Sequence, residues 1–341
     1  MNKKILDSLS NITNDIPPIW LMRQAGRYLP EYRNVRSSLS DFLELCYTPK
    51  RAKEVTLQPI ERFNFDAAII FSDILVIPDA MNVDLQYVKG EGPKLEKTIS
   101  EKQISSLNTD NITNHLKPVY EALKITKQGL GNETALIGFV GAPWTIATYM
   151  IEGGGSKNFE NIKRYMYDNK TLFDLLIEKL VDAISIHAIN QIDAGAEVIQ
   201  IFDSWSGVLS ENSFHEYVIK PTKKIVDNIR KVYPEIKIIG FPKGAGISYL
   251  SYINEVDVNG VSIDYTVPVT WAAENIQPKI CVQGNLDPYI LASDKNLMLN
   301  EVDKIIETLS GGAFIFNLGH GILPHTPIEN VEALVKRVRK L

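Results

Sequence analysis

Eight short runs rich in apolar and β-branched residues recur along the chain, and most follow a stretch of helical character. They are Pro18–Met22, Ala67–Phe71, Ala135–Val140, Ala196–Phe202, Ile236–Phe241, Gly260–Ile263, Ile280–Val282 and Ala313–Phe316. Near-continuous apolar strands suit a sheet buried on both faces. Helix starts lie between them. Thr48-Pro49 pairs an N-cap with a proline at the first helical position, and Thr326-Pro327-Ile328-Glu329 and Ser213-Phe214-His215-Glu216 read as capping boxes. Over Thr171–Asp193 an apolar stripe of Phe173, Leu176, Ile177, Leu180, Ile184 and Ala188 predicts a long helix ending near Gly195. No Pro/Gly/Ser linker, low-complexity tract or repeat divides the chain. The alternation predicts an α/β fold, a single (β/α)8 barrel of TIM type over residues 1–341, with a doubly wound sheet as runner-up.

A barrel carries its functional groups just past the C-terminal ends of its strands. In this register the tips are Arg23 and Arg27, Ser72-Asp73, Gly141 to Trp144, Asp203-Ser204, Pro242-Lys243-Gly244, Asp264-Tyr265, Gln283-Gly284-Asn285 and Asn317 to Gly321. The first tip stands out electrostatically. Residues 17–36 hold four Arg against one Glu, a local +3 in a chain of net charge −5. Guanidinium forks suit carboxylate or phosphate, so any attraction for anions is local and focused by a cleft. No long basic run favours nucleic acid. The two cysteines, Cys46 and Cys281, give neither a disulfide framework nor a metal cluster. No apolar run approaches the roughly 20 residues of a membrane span. The N-terminus lacks an apolar leader core and is interrupted by Asp7 and Asp15, so the expected location is cytoplasmic.

Each candidate has a plainer alternative. Asp73, within AIIFSDILVIP, is costly if unpaired; it either serves a ligand or caps the next helix, a role Ser72 fits equally. Tyr149 is a rim aromatic or a ligand group. His320, between two glycines, faces a ligand or bonds to turn backbone. His187 reads as structural, and His115 and His215 as surface or helix-end residues. Asp203, Ser204 and His320 lack the GxSxG of a nucleophile elbow. Neither GxGxxG opening a strand–helix unit nor a P-loop is present. Gly153-Gly154-Gly155 reads as a flexible loop or lid. The Gly319-His320-Gly321 loop has the form of a phosphate cradle, and Lys243 lacks the desolvating run of a Schiff-base lysine.

Three segments, PPIWLMRQAGRYLPEYR, GFVGAPWTIATYMIEGGGSKNF and FNLGHGILPHTP, resemble the uroporphyrinogen decarboxylase family of haem biosynthesis. FSDIL, IFDSWSG and GFPKGAG are similar to its strand tips, and the likeness runs from about Pro17 to His325 without departure at the matching positions. The resemblance implies a distorted barrel, a homodimer, and no metal or organic cofactor. It implies conversion of uroporphyrinogen III to coproporphyrinogen III by loss of CO2 from four acetate side chains. It also assigns substrate binding to Arg23, Gln24, Ala25, Gly26, Arg27, Asp73, Tyr149, Ser204 and His320, with Phe139 and Phe202 lining the cleft. Asp73, Arg23 and Arg27 are the catalytic candidates. The proton donor stays open among the two arginines, water and a substrate carboxylic acid. The alternatives are a zinc-dependent corrinoid or thiol methyltransferase of the same superfamily, for which Cys46 and Cys281 lack a His-x-Cys partner, and a non-catalytic tetrapyrrole carrier.

Overall fold

The computed structural model describes residues 3–88 and 90–340. Nine strands form among the described residues: β1 (Ala67–Ile69), β2 (Leu85–Val88), β3 (Gly92–Leu95), β4 (Ala135–Gly141), β5 (Val198–Asp203), β6 (Lys237–Pro242), β7 (Gly260–Ser262), β8 (Cys281–Leu286) and β9 (Phe314–Leu318). Seven make one parallel sheet in the order β1-β4-β5-β6-β7-β8-β9. Neighbours in the sheet are thus neighbours in the chain, apart from the separate β2–β3 hairpin. That order excludes a doubly wound sheet, which must reverse direction at a switch point.

The expected first strand, Pro18–Met22, does not form a ladder. It makes one parallel bridge, Ile19 to Phe316. Phe316 N–H donates to Pro18 O at 2.8 Å and Asp66 N–H to Ile19 O at 2.9 Å, so the segment closes the gap between β9 and β1. Pro17 and Pro18 lack amide donors, and the Asp66 carboxylate replaces a backbone acceptor by taking Ile19 N–H at 2.8 Å. The barrel is accordingly distorted at this seam.

The interior is apolar at one end and polar in the middle. Helix Lys4–Ser8 plugs the end where the strands begin, with Ile5 and Leu9 packed against Trp20, Ile137, Ile239 and Ile315. Small residues there (Ala67, Ala135, Ala313) make room for it. Above lies a buried polar layer. Trp20 Nε1 donates to Gln283 Oε1 at 2.9 Å, and Gln283 Nε2 donates to Gln200 Oε1 at 3.1 Å and to Ser262 Oγ at 2.5 Å. Gln283-Gly284-Asn285 is therefore strand interior, not a tip. A polar layer of this kind is stable because every member finds a partner.

The long helix runs Lys170–Asp193, and all six residues of its expected stripe are buried. The expected caps fared differently. Pro49 and Pro327 stand at or just before helix starts, but Thr48 Oγ1 donates back to Glu44 O and Thr326 Oγ1 has no partner. Ser213 lies inside a helix that begins at Glu211. A capping box does form at Ser100 and Gln103.

Candidate active site

Short elements after the strands build the mouth. Arg23 ends the bridging segment in the left-handed region, at φ 63°, a conformation uncommon for a long side chain. Gly26 permits it, since a Cβ there would stand 2.9 Å from Arg23 O. The Arg23 stem lies against Gly321, where a Cβ would approach its Cδ to 2.4 Å. Gln24 is fully buried and serves the loop: its Oε1 accepts from Leu21 N–H at 3.1 Å and its Nε2 donates to Ala67 O at 3.0 Å. Its side chain therefore has no part in the open cleft. Ala25 and Gly26 are half-buried beside it.

The four arginines of this region divide by role. Arg33 donates to Arg27 O and Tyr28 O, and Arg36 to Leu39 O. Arg23 and Arg27 are exposed, and neither belongs to any ion pair among the described residues. The Arg23 charge acts on Asp73, Tyr149 and His320 together, whereas Arg27 acts on Tyr32.

Asp73 sits just past β1, and its Oδ1 accepts from Leu75 N–H at 2.8 Å. This is a local turn contact and not a helix cap: helix Val76–Ala80 has no side-chain cap, so the capping alternative holds neither for Asp73 nor for Ser72, whose hydroxyl is buried without a partner. One carboxylate oxygen remains for other work. Burial pushes its carboxyl above the ordinary range, opposed by the Leu75 N–H, the Tyr87 hydroxyl and the Arg23 guanidinium.

Tyr149 lies on helix Pro143–Glu152, which follows β4, and its ring meets Trp205 at 4.3 Å. Burial and the Asp73 charge push its phenol up to about 12. His320 follows β9, 6.4 Å from the Phe241 ring. Burial and the Arg23 and Lys243 cations depress its imidazole to about 3, so it is neutral at physiological pH. Phe139, Phe202 and Phe241 form an aromatic floor, with centroids 5.7 Å and 6.2 Å apart in edge contacts. Ser204 is half-buried at the β5 tip. Lys243 Nζ stands 5.9 Å over the Tyr265 ring.

Other tip groups are structural. Asp264 accepts from Gly244 N–H at 2.7 Å, Tyr249 OH at 3.2 Å and Thr266 N–H at 2.9 Å, which organises two loops. Asp203 points away from the barrel interior to Thr145 Oγ1 at 2.5 Å, so it forms no triad with His320. Gly153 and Gly154 are stitched to β3 by Leu95 N–H to Gly153 O at 3.1 Å and a Lys94–Gly154 bridge, so they form no free lid. His187 is buried at 3.1 Å from Tyr120 OH, His115 pairs with Asp79 at 2.7 Å and the exposed His215 with Glu255 at 2.9 Å. Cys46 and Cys281 are both buried, and burial raises their thiols.

Sequence reasoning missed Tyr87, on the β2–β3 hairpin beside Asp73. Its strand is four residues long and bordered by Gly90 and Gly92, and the one trace of it was a brief Leu85/Tyr87 alternation.

The uroporphyrinogen decarboxylase family model matches residues 1–341. A uroporphyrinogen decarboxylase of Rhodospirillum rubrum is 50% identical over 337 residues, covering 99% of this chain and 97% of its own. One from Brucella anthropi is 48% identical over 339 residues, covering 99% of both. Among solved structures, a methyltransferase from Methanosarcina mazei superposes with a TM-score of 0.82 at 19% identity, covering 99% of this chain and 97% of its own. A B12-independent methionine synthase from Shewanella reaches 0.58 at 11%, covering 95% and 98%. At such identities the likeness speaks to the fold alone. With the family model spanning the whole chain and relatives near half identity, this chain belongs to the uroporphyrinogen decarboxylase family.

Proposed function

We propose that this chain converts uroporphyrinogen III to coproporphyrinogen III at the barrel mouth, removing CO2 from four acetate side chains. The observation that carries the reading is the placement of Asp73, half-buried at the mouth, within the field of the exposed Arg23 guanidinium, which forms no ion pair among the described residues. A substrate with eight carboxylates suits unpaired arginines at the mouth of an acidic protein.

Breaking the bond to CO2 leaves an electron pair that needs a sink. Protonating the ring α-carbon next to the carbon that carries the acetate generates an iminium-like cation conjugated to the acetate methylene, which accepts the pair. A second proton then converts the methylene to methyl, and the ring proton departs. The free oxygen of Asp73 accepts hydrogen bonds from pyrrole N–H groups and stabilises the cation, as preorganised electrostatic groups do. Arg23 and Arg27 hold substrate carboxylates, and neutral His320 and Tyr149 offer hydrogen bonds without adding charge. Phe139 and Phe202 present apolar surface to the macrocycle. The absence of any redox step is consistent with chemistry that needs no electron carrier, and the enzyme acts as a cytoplasmic homodimer.

An anaerobic incubation with reduced uroporphyrinogen III, then oxidation and chromatography, tests the reading. Conversion from eight carboxylates to four supports it; an unchanged count defeats both it and any decarboxylase role. Asp73→Asn is expected to fold normally and to lose about 100- to 1,000-fold in kcat, the scale of one lost electrostatic contact. A variant with near-wild-type kcat would remove Asp73 from the mechanism.

A further inference from the structure

We propose that Asn317 is a positioning residue for this reaction: its side-chain oxygen ends the pairing between the bridging segment and β9 and fixes the turn that presents Arg23 to the substrate. The inference rests on the function proposed above.

The bridging segment and β9 start out as an ordinary parallel pair. Ile19 bridges Phe316, Phe316 N–H donates to Pro18 O at 2.8 Å, and Trp20 N–H donates to Phe316 O at 3.4 Å. In that register the next two donors are Leu318 N–H, which would meet Trp20 O, and Met22 N–H, which would meet Leu318 O. Neither rung forms. Asn317 Oδ1 takes both donors instead, Leu318 N–H at 2.7 Å and Met22 N–H at 2.9 Å. A side-chain amide here displaces the strand backbone as the acceptor. The segment can therefore leave the barrel at Met22 without stranding a buried N–H, which would be costly.

The residue that follows is Arg23, in the left-handed region at φ 63°. Such a conformation persists at a long side chain only where its surroundings over-determine it. Here the turn is clamped on both sides. Before Arg23, the Met22 N–H is held by Asn317 and the Met22 carbonyl by Ile322 N–H at 2.9 Å. After it, Gln24 bonds to Leu21 N–H and Ala67 O. Within that clamp the Asn317 bond is the one that replaces a ladder rung, so it decides where the strand stops and the turn begins. Asn317 is fully buried, and its Nδ2 has no partner among the described residues. The acceptor oxygen is thus the part of the amide in use.

Asn317→Ala removes that oxygen and lets Met22 N–H reach the Leu318 carbonyl, lengthening the ladder and drawing the Arg23 turn with it. KM for uroporphyrinogen III is expected to rise about tenfold, the scale of one lost charge-assisted contact. The kcat is expected to change less than about threefold. In an Arg23→Ala background the same replacement is expected to raise KM less than about twofold, an outcome that a general loosening of the barrel would not give. Asn317→Asp keeps an acceptor at the same place and is expected to hold KM within about threefold of the wild type. Crystal structures give a readout independent of turnover: Arg23 leaves the left-handed region in Asn317→Ala and stays there in Asn317→Asp. Wild-type turnover in the same assay reports on the proposed function separately. An unchanged KM or an unmoved Arg23 in Asn317→Ala, or an equal rise in the Arg23→Ala background, overturns the role of Asn317. Should the alanine variant not fold, Asn317→Asp decides: an intact Met22 contact with KM raised about tenfold overturns it as well.

Discussion

Replacing Asp203 with Asn tests whether a buried carboxyl of this barrel is an acid or an anion at neutral pH. Asp203 is 3% exposed; its Oδ1 accepts from Thr145 Oγ1 at 2.5 Å, and its Oδ2 has no partner. Burial pushes the carboxyl from 3.8 up to about 7, with Thr145 pulling the other way. The unfolded chain releases this proton near 3.8 and the folded one near 7, so the folded state binds more protons in between. Stability from this group is therefore fully present below about 4 and lost as pH rises through about 7. At ~1.4 kcal/mol per pH unit the whole interval is worth at most about 4 kcal/mol, of which about 2–3 kcal/mol falls between pH 5 and 8. For a chain of 341 residues that corresponds to about 3–4 °C in thermal midpoint.

Asparagine leaves a buried amide poorly satisfied, a cost of about 1–3 kcal/mol at every pH. The diagnostic is consequently the change of the wild-type-minus-variant difference with pH, in which that constant cost and the titration of every other group cancel. Differential scanning calorimetry from pH 5 to 8 is expected to show the wild type losing about 3–4 °C relative to Asp203→Asn. Parallel curves would mean that Asp203 ionises near its ordinary value, and that Oδ2 is hydrated.

Gly321→Ala places a methyl group 2.4 Å from the Arg23 Cδ; the exposed guanidinium is expected to swing aside, raising KM about tenfold with little change in melting midpoint, and unchanged KM would show that Arg23 binds nothing. Arg23→Lys keeps the charge but loses the planar fork, so KM for uroporphyrinogen is expected to rise several-fold with a smaller effect on kcat; an equal fall in both kcat and kcat/KM would instead place Arg23 in the transition state.

What the sequence disclosed and what it hid follow from the period of each element. Strands β4, β5 and β6 were legible because their residues are buried on both faces, so the apolar run is continuous. The bridging segment has the same look, yet its prolines remove donors and Arg23 turns the chain out at φ 63°. Composition cannot separate that seam from a strand. Gln283 misled in the opposite direction, because a satisfied polar layer of Gln200, Ser262 and Trp20 lies inside the barrel, and a polar strand centre looks like a strand end.

The site was legible where chemistry is local and hidden where it depends on which way a side chain turns. Asp203 and Phe202 are adjacent, and strand alternation sends one to the helix layer and the other to the mouth. Arg23 and Arg27 stand in one motif, but the three loop residues between them put Arg23 beside Asp73 and His320 and Arg27 beside Tyr32. Gln24, between them, spends both amide atoms on backbone. A motif thus marks where a site is, while the division of labour within it is set by hydrogen-bond supply: Arg33 and Arg36 find carbonyls, Gln24 finds a strand edge, and only the side chains left without protein partners are free to meet a substrate carboxylate.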